Sequence, residues 1–260
     1  NKITVNNGGR LVLCDCAGGG TIRGATKSWG GSCVYLYQST LDIFGGKITG
    51  GKVSGNGGGA IALDDSKCVL NIYGGEISGN NGNKSGGAIF LNKTDNKGGT
   101  VNMYGGTIAN NTAQKGGVIY SECGGTINLA GGTISGNKAT NGDGGVINMA
   151  GGTVTISGAK LTGNTSSQYG GAVYLYNGVT ATMTGGEISS NQAASEGGAV
   201  HVYGTSTFNL SGGKITGNSS VDGGAIYLNR EPSVLNMSGG VISGNTATGN
   251  GGGVYIFRTG

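Results

Sequence analysis

The chain has 260 residues, of which 61 are glycine and only one is proline, and its formal net charge is +4. Proline is far too scarce for a collagen-like triple helix, so the composition excludes that class. Because 35% of the residues are hydrophobic and 11% are charged, we expect a folded core. The mild positive charge without a basic run gives no reason to expect nucleic-acid binding. No apolar stretch is long enough for a membrane helix, so we expect no membrane insertion by this segment.

From its first residues the chain is strand-like, and we assign residues 1–17 to a partial N-terminal coil. From residue 18 onward the sequence Gly-Gly-x-Ile-Ser/Thr-Gly-Asn recurs at steps of 26 to 31 residues, for example at 73–80, 130–137 and 211–218. A repeat of this length indicates one stacked structural unit per copy. We therefore predict a single domain over residues 1–260, with the repeats in 18–260.

Each repeat predicts three short strands separated by Gly/Asn turns. The first is an alternating strand such as residues 70–73, the second runs through the isoleucine of the Gly-Gly-x-Ile motif, and the third follows Gly-Gly-Ala/Val, as in residues 86–91. Side chains alternate between the two faces of a strand, so the apolar positions form inward columns. Parallel crossovers are overwhelmingly right-handed. The predicted fold is all-β: a right-handed parallel β-helix, or β-solenoid, of about nine coils with three short strands each.

One asparagine column ends the repeated turn, and we expect its stacked amides to form a ladder along the axis. We assign to it Asn56, Asn80, Asn111, Asn137, Asn164, Asn191, Asn218 and Asn245. The five cysteines include no Cys-x-x-Cys pair, so the sequence predicts neither a metal site nor a cofactor.

The Gly-Gly-Ala-Ile motif with a nearby asparagine resembles the repeats of chlamydial polymorphic outer-membrane proteins. The version Gly-Gly-x-Ile-Ser-Gly-Asn-x-Ala resembles repeats of large surface proteins of gut Firmicutes, and both resemble the pectin-lyase-like β-helix group. The resemblance covers nearly all of the chain after residue 18. It implies a β-helix in a secreted or bacterial cell-surface setting and an adhesin-like role.

An aromatic stripe is predicted on the outward side of the Gly-Gly-Ala-Ile strands. Aromatic side chains exposed at steps of ~4.8 Å would form a platform for sugar rings or for a partner protein, although rings that merely pack on one another would give the same pattern. The candidate ligand-binding residues are Tyr35, Phe90, Tyr120, Tyr174, His201 and Tyr227; Ile256 is expected to end the stripe. A smaller aromatic set, Phe44, Tyr73 and Tyr104, precedes successive turns.

A polar column before the Gly-Gly pairs contains the candidate catalytic residues. Glu196 and Asp222 should lie one coil apart, about 5 Å, with His201 close in sequence. This spacing suits an acid–base pair on a polysaccharide, whereas carboxylates at turns are usually only solvated. The sequence therefore leaves open whether the protein is an enzyme.

The leading hypothesis is a non-catalytic extracellular or cell-surface module, an adhesin-like domain or stalk that binds glycans or a partner protein. A chain with a single histidine and few charged residues has few groups that could act as acid or base. Two alternatives stay open: a carbohydrate-active hydrolase or lyase, and a self-assembling fibre subunit. The fibre alternative follows from the expectation that uncapped coils expose strand edges that pair end to end.

Overall fold

The chain folds into a parallel β-solenoid of about nine coils. The computed structural model describes residues 2–92 and 97–257, and this part of the chain consists of strands and turns without a helix. The strands form three sheets that run along the solenoid, named here sheets A, B and C, and every pairing between coils is parallel. Residues one repeat apart therefore lie side by side, as the sequence predicts.

Sheet A carries the Gly-Gly-Ala-Ile strands. Its strands are Ile3–Asn6, Val34–Tyr37, Ile61–Leu63, Ile89–Leu91, Ile119–Ser121, Ile147–Ala150, Val173–Tyr176, Val200–Tyr203, Ile226–Asn229 and Val254–Phe257.

Sheet B carries the other two predicted strands of each coil as two rows. Two ten-residue strands run through both rows and join them into one sheet. Its first row is Arg10–Leu13, Thr40–Ile43, Val69–Ile72, Thr100–Met103, Thr126–Leu129, Thr153–Ile156, Thr180–Ser189, Thr207–Thr216 and Val234–Met237. Its second row is Thr21–Arg23, Lys47–Thr49, Glu76–Ser78, Thr107–Ala109, Thr133–Ser135, Lys160–Thr162 and Val241–Ser243, completed by the second halves of the two ten-residue strands.

Sheet C is a fourth, short strand per coil that the sequence analysis did not predict. Its strands are Thr26–Lys27, Lys52–Val53, Asn81–Ser85, Thr112–Lys115, Lys138–Ala139, Thr165–Ser166, Gln192–Ala193, Ser219–Ser220 and Thr246–Ala247. Most are two residues long, which is too short for the alternation of apolar and polar residues to show in the sequence.

The core is one continuous apolar column along the axis. Between the terminal coils, the inward residues of all three strand types are buried, for example Ile89 and Leu91 from sheet A and Ile72 and Ile77 from sheet B. Each coil contributes only a few side chains, and burial becomes complete when the next coil stacks on them. The core is therefore thin and extends along the axis of the solenoid.

The asparagine ladder is confirmed in the turn between sheets B and C. The amide Nδ2 of Asn164 donates to Oδ1 of Asn191 at 3.0 Å, and the same Oδ1 accepts from the backbone N–H of Asn164 at 2.9 Å. The pattern continues coil by coil from Asn80 to Asn245. Assigning Asn56 to this column was wrong, because the backbone N–H of Gly51 donates to Asn80 and takes that position.

The ladder asparagines do not adopt the left-handed backbone that their residue type suggested. The residue before each of them does: Gly163 precedes Asn164 with φ of +64°. A positive φ costs glycine little. The asparagine is needed for hydrogen bonding, because its side chain pairs with the donors and acceptors of a buried turn.

The Gly-Gly pair before most sheet A strands makes a corner that no larger residue fits. Gly170 has φ of +60°. A Cβ on Gly171 would lie 2.1 Å from the carbonyl oxygen of Gly198 in the next coil. Glycine at these positions therefore lets neighbouring coils approach closely.

Candidate functional site

The predicted stripe on the outward side of sheet A exists as a column in strict register. Successive pairings run through Tyr35, Ala62, Phe90, Tyr120, Asn148, Tyr174, His201, Tyr227 and Tyr255. Ending the stripe at Ile256 was wrong, because Ile256 pairs with the inward Leu228 and Tyr255 takes the outward place.

The expectation that this stripe forms an exposed platform was also wrong for most of its members. Phe90, Tyr120, His201 and Tyr227 are buried, with His201 fully so, and only Tyr35 and Tyr174 are half-buried. The rings cover one another along the column and are flanked by side chains from the turns at both ends of the strands.

His201 occupies the centre of the most closely packed part of the column. Its ring centroid lies 5.1 Å from that of Tyr174 and 5.1 Å from that of Tyr227. Tyr169, from the turn before the Tyr174 strand, stacks on His201 with centroids 5.0 Å apart. Burial lowers the pKa of His201, and the neighbouring Glu196 opposes this shift. The imidazole is therefore held neutral.

The structure brings two of the three candidate catalytic residues into contact. Nε2 of His201 lies 3.0 Å from Oε2 of Glu196. Nε2 and the carboxylate share this hydrogen bond, and Nδ1 is a buried atom without a hydrogen-bond partner. Glu196 and Asp222 lie on adjacent coils, as predicted. Asp222, however, accepts from the backbone and side-chain nitrogens of Asn250, at 2.6 Å and 3.0 Å.

Asp143 lies in the same polar column and is buried. Desolvation raises its pKa to about 6, although the backbone N–H of Tyr169 and the Lys115 ammonium favour the ionised form. The nearby Asn148 interrupts the aromatic column; its Nδ2 donates to the Asp143 carbonyl, and its Oδ1 is buried without a partner.

A cleft of about 450 Å³ opens on sheet A beside Phe90 and Tyr120. Their rings stack with centroids 6.1 Å apart and planes within 9°, and both residues line the cleft. Trp29 lines the cleft, is 46% exposed, and packs with its ring 5.7 Å from that of Tyr35. The cleft thus offers one accessible indole surface beside two largely buried rings.

The two long sides of this cleft carry different groups. Lys84 and Lys115 precede their sheet A strands, whereas Asn92 and Glu122 directly follow theirs. Because all sheet A strands run in the same direction, residues before the strands lie along one side and residues after them along the other. The Tyr120 hydroxyl reaches across to donate to the Glu122 carboxylate.

The sequence analysis missed five residues of this cleft. Those residues are Trp29, Lys84, Asn92, Gln114 and Glu122. They lie in or beside turns and do not recur at the repeat period, so alignment of the repeats conceals them. The sequence signal that could have indicated this cleft was Trp29, the single tryptophan of the chain.

The exposed aromatic platform lies elsewhere, on sheet B. Phe44, Tyr73 and Tyr104 are 50%, 44% and 51% exposed, and they form a parallel stack. Across the described ranges, 2–92 and 97–257, no three His, Cys, Asp or Glu side chains cluster closely enough to hold a metal ion. In these same ranges no helix is long and apolar enough to cross a membrane.

Comparison with known proteins gives no match: no protein-family model, no curated protein and no solved structure is similar to this chain. The β-solenoid therefore rests on the structure itself.

Proposed function

We propose that this protein is a non-catalytic glycan-binding module and that its cleft on sheet A holds the sugar chain. The observation that carries the proposal is the composition of the cleft: Phe90 and Tyr120 lie between one side that carries Trp29 and two lysines and another side that carries Asn92 and Glu122. Sugar recognition needs an apolar surface for the ring carbons and hydrogen-bonding groups for the hydroxyls at the ring edge. Such a module would act outside the cell or at its surface, which agrees with the resemblance of the repeats to surface proteins.

The dimensions of the cleft support a linear ligand. Three inter-strand steps separate the Tyr35 strand from the Tyr120 strand, which gives about 14 Å along the axis at ~4.8 Å per step. A glycan lying along the axis would contact the lysines on one side and Asn92 and Glu122 on the other. Affinity should therefore increase with the number of sugar residues.

Trp29 provides the direct test, because as the single tryptophan its fluorescence reports occupancy of the cleft. We expect a glycan array to identify binders and a titration with the best of them to shift Trp29 emission. Lys115→Ala should weaken binding about tenfold, through the loss of one charged hydrogen bond. The matched control is Lys138→Ala, an exposed lysine of sheet C outside the cleft. If both variants bind the glycan with equal affinity, or if the array identifies no binder, the proposal is refuted.

The non-catalytic part of the proposal is supported by the fully buried His201 and by the protein partners of Glu196 and Asp222. If the protein does not cleave polysaccharides, incubation with pectins, glucans and xylans should release no new ends. A measurable turnover that disappears in Glu196→Gln and Asp222→Asn would establish the enzyme alternative instead.

A further inference from the structure

The exposed aromatic stack on sheet B ends abruptly at one coil. Phe44 and Tyr73 stack with ring centroids 4.6 Å apart and planes within 7°, and Tyr73 and Tyr104 follow at 5.0 Å and 11°. The next residue in this column is Ala130, which is exposed and whose backbone N–H donates to Met103 at 2.7 Å. One face of Tyr104 is covered by Tyr73, and the opposite face lies above this small side chain.

The exposures agree with an open ring face. The middle ring, Tyr73, is the least exposed of the three, and the two end rings, Phe44 and Tyr104, are exposed to about the same extent. At the other end of the stack Phe44 lies next to Cys14, since its backbone N–H donates to Leu13. The surface at Ala130 therefore contains a step that is one aromatic ring deep.

Polar side chains surround this step. Beside the aromatic stack runs a second ladder, in which Asn71 donates to Asp42 at 2.7 Å, Asn102 to Asn71 at 2.8 Å and Asn128 to Asn102 at 2.8 Å. The ladder of amides stops at Asn128, because the next residue in register is Thr155. Thus the amide ladder extends one coil beyond the last aromatic ring, to the coil of Ala130.

We propose that this step is a second binding site, which takes one pyranose residue on the open face of Tyr104. A pyranose has an apolar face that stacks on an aromatic ring and hydroxyls at its edge, and here the edge would meet Asn128 and Thr155. An aromatic ligand would use the ring face but not the amide and hydroxyl groups beside it. The site is separate from the cleft, which lies on sheet A.

The orientation of the stack limits what this site accepts. The three rings stack along the solenoid axis, so a sugar ring that continues the stack must enter from solvent with its plane parallel to Tyr104. Only one residue fits, and the rest of a glycan would project away from the surface. The site would therefore bind single or terminal residues, and longer chains would not bind more tightly.

Saturation-transfer NMR with a panel of methyl pyranosides of glucose, galactose, mannose and N-acetylglucosamine tests this site. We expect transfer to the ring protons of at least one of these sugars. Tyr104→Ala should weaken its binding about tenfold. Ala130→Tyr should abolish it, because the new ring would complete the stack and fill the step. Both positions are exposed, so both variants should fold, which circular dichroism checks.

Two further variants separate this site from the cleft and from general surface effects. Ser211→Tyr adds an aromatic ring to the same column at an exposed position three coils from Ala130 and should leave binding unchanged, as should Trp29→Ala. Unchanged binding in Tyr104→Ala and Ala130→Tyr, or no transfer to any sugar of the panel, would overturn the proposal. Binding lost only in Trp29→Ala would assign the sugar to the cleft, which would overturn this inference and leave the proposed function standing.

Discussion

At the scale of single residues, His201 and Asp143 are two buried groups whose ionisation the fold disfavours. His201 is enclosed by tyrosine rings, and its one polar partner is Glu196. Asp143 is only 8% exposed. Burial disfavours the charged form of both, which lowers the pKa of a histidine and raises that of a carboxyl group. Their effects on stability therefore have opposite dependence on pH.

His201 should make the protein less stable in acid. Its pKa is lower in the folded state than the ordinary value of ~6.5. Below that value the unfolded chain takes up a proton that the folded chain resists, so stability is lost as the pH falls below about 7. His201→Phe keeps a planar ring in the stack and should remove this loss. The check is urea unfolding of both proteins at pH 8 and pH 5; an identical pH dependence would contradict the prediction.

Asp143→Asn should stabilise the protein at neutral pH. The folded pKa of about 6 lies above the ordinary carboxyl value of ~3.9, so above pH 6 the native state pays for an ionised buried group, and protonation removes this cost as the pH falls. An asparagine oxygen can still accept from the Tyr169 N–H. We expect a gain of about 1–2 kcal/mol in unfolding free energy at pH 8 and about a third of that at pH 4.5, where the carboxyl is protonated in the folded chain but still mostly ionised in the unfolded chain. A gain of the same size at both pH values would point to packing instead.

At the scale of the structural element, the turn between sheets B and C depends on its ladder of buried asparagines. Asn164 donates to the carbonyl oxygens of Ile134 and Thr162 and to Asn191, and its Oδ1 accepts from Asn137. These bonds join neighbouring coils at a position without solvent. The ladder therefore connects each coil to the next through buried hydrogen bonds.

Asn164→Ala should cost about 3 kcal/mol or more, because it leaves buried donors and acceptors of two coils unpaired. The control is Asn209→Ala in the outer face of sheet B, where the side chain is half-exposed and water can replace its partners. We expect a loss below about 1 kcal/mol there. Chemical unfolding measures both values, and similar losses in the two variants would refute a special role for the ladder.

At the scale of the whole molecule, each described coil contacts mainly the coils before and after it. The parallel pairings of all three sheets link residues one repeat apart, so stability is a sum of coil energies and of interfaces between neighbours. The cleft and the aromatic step lie on different sheets, and a perturbation at one should reach the other only through intervening coils.

Hydrogen exchange should therefore reveal a local response to the ladder variant. In Asn164→Ala we expect faster amide exchange in strands Lys138–Ala139, Thr165–Ser166 and Gln192–Ala193, and little change in strand Lys52–Val53 of the same sheet. The reason is that nearest-neighbour contacts confine the loss of stability. Uniform acceleration along the chain would instead indicate a single cooperative unit.

The sequence alone determined the coil, because each repeated residue meets a packing or hydrogen-bonding requirement that recurs in every coil. Apolar columns, Gly-Gly corners and the asparagine ladder follow from periodicity, and so does the lateral alignment of Glu196 with Asp222. Only the tertiary structure decided which non-repeating side chains are accessible. It buried His201 and Tyr227, because exposure depends on how neighbouring turns pack over a strand. It also brought Trp29 to Phe90 and Tyr120 and left Tyr104 open above Ala130, since these contacts join residues from different coils that share no motif.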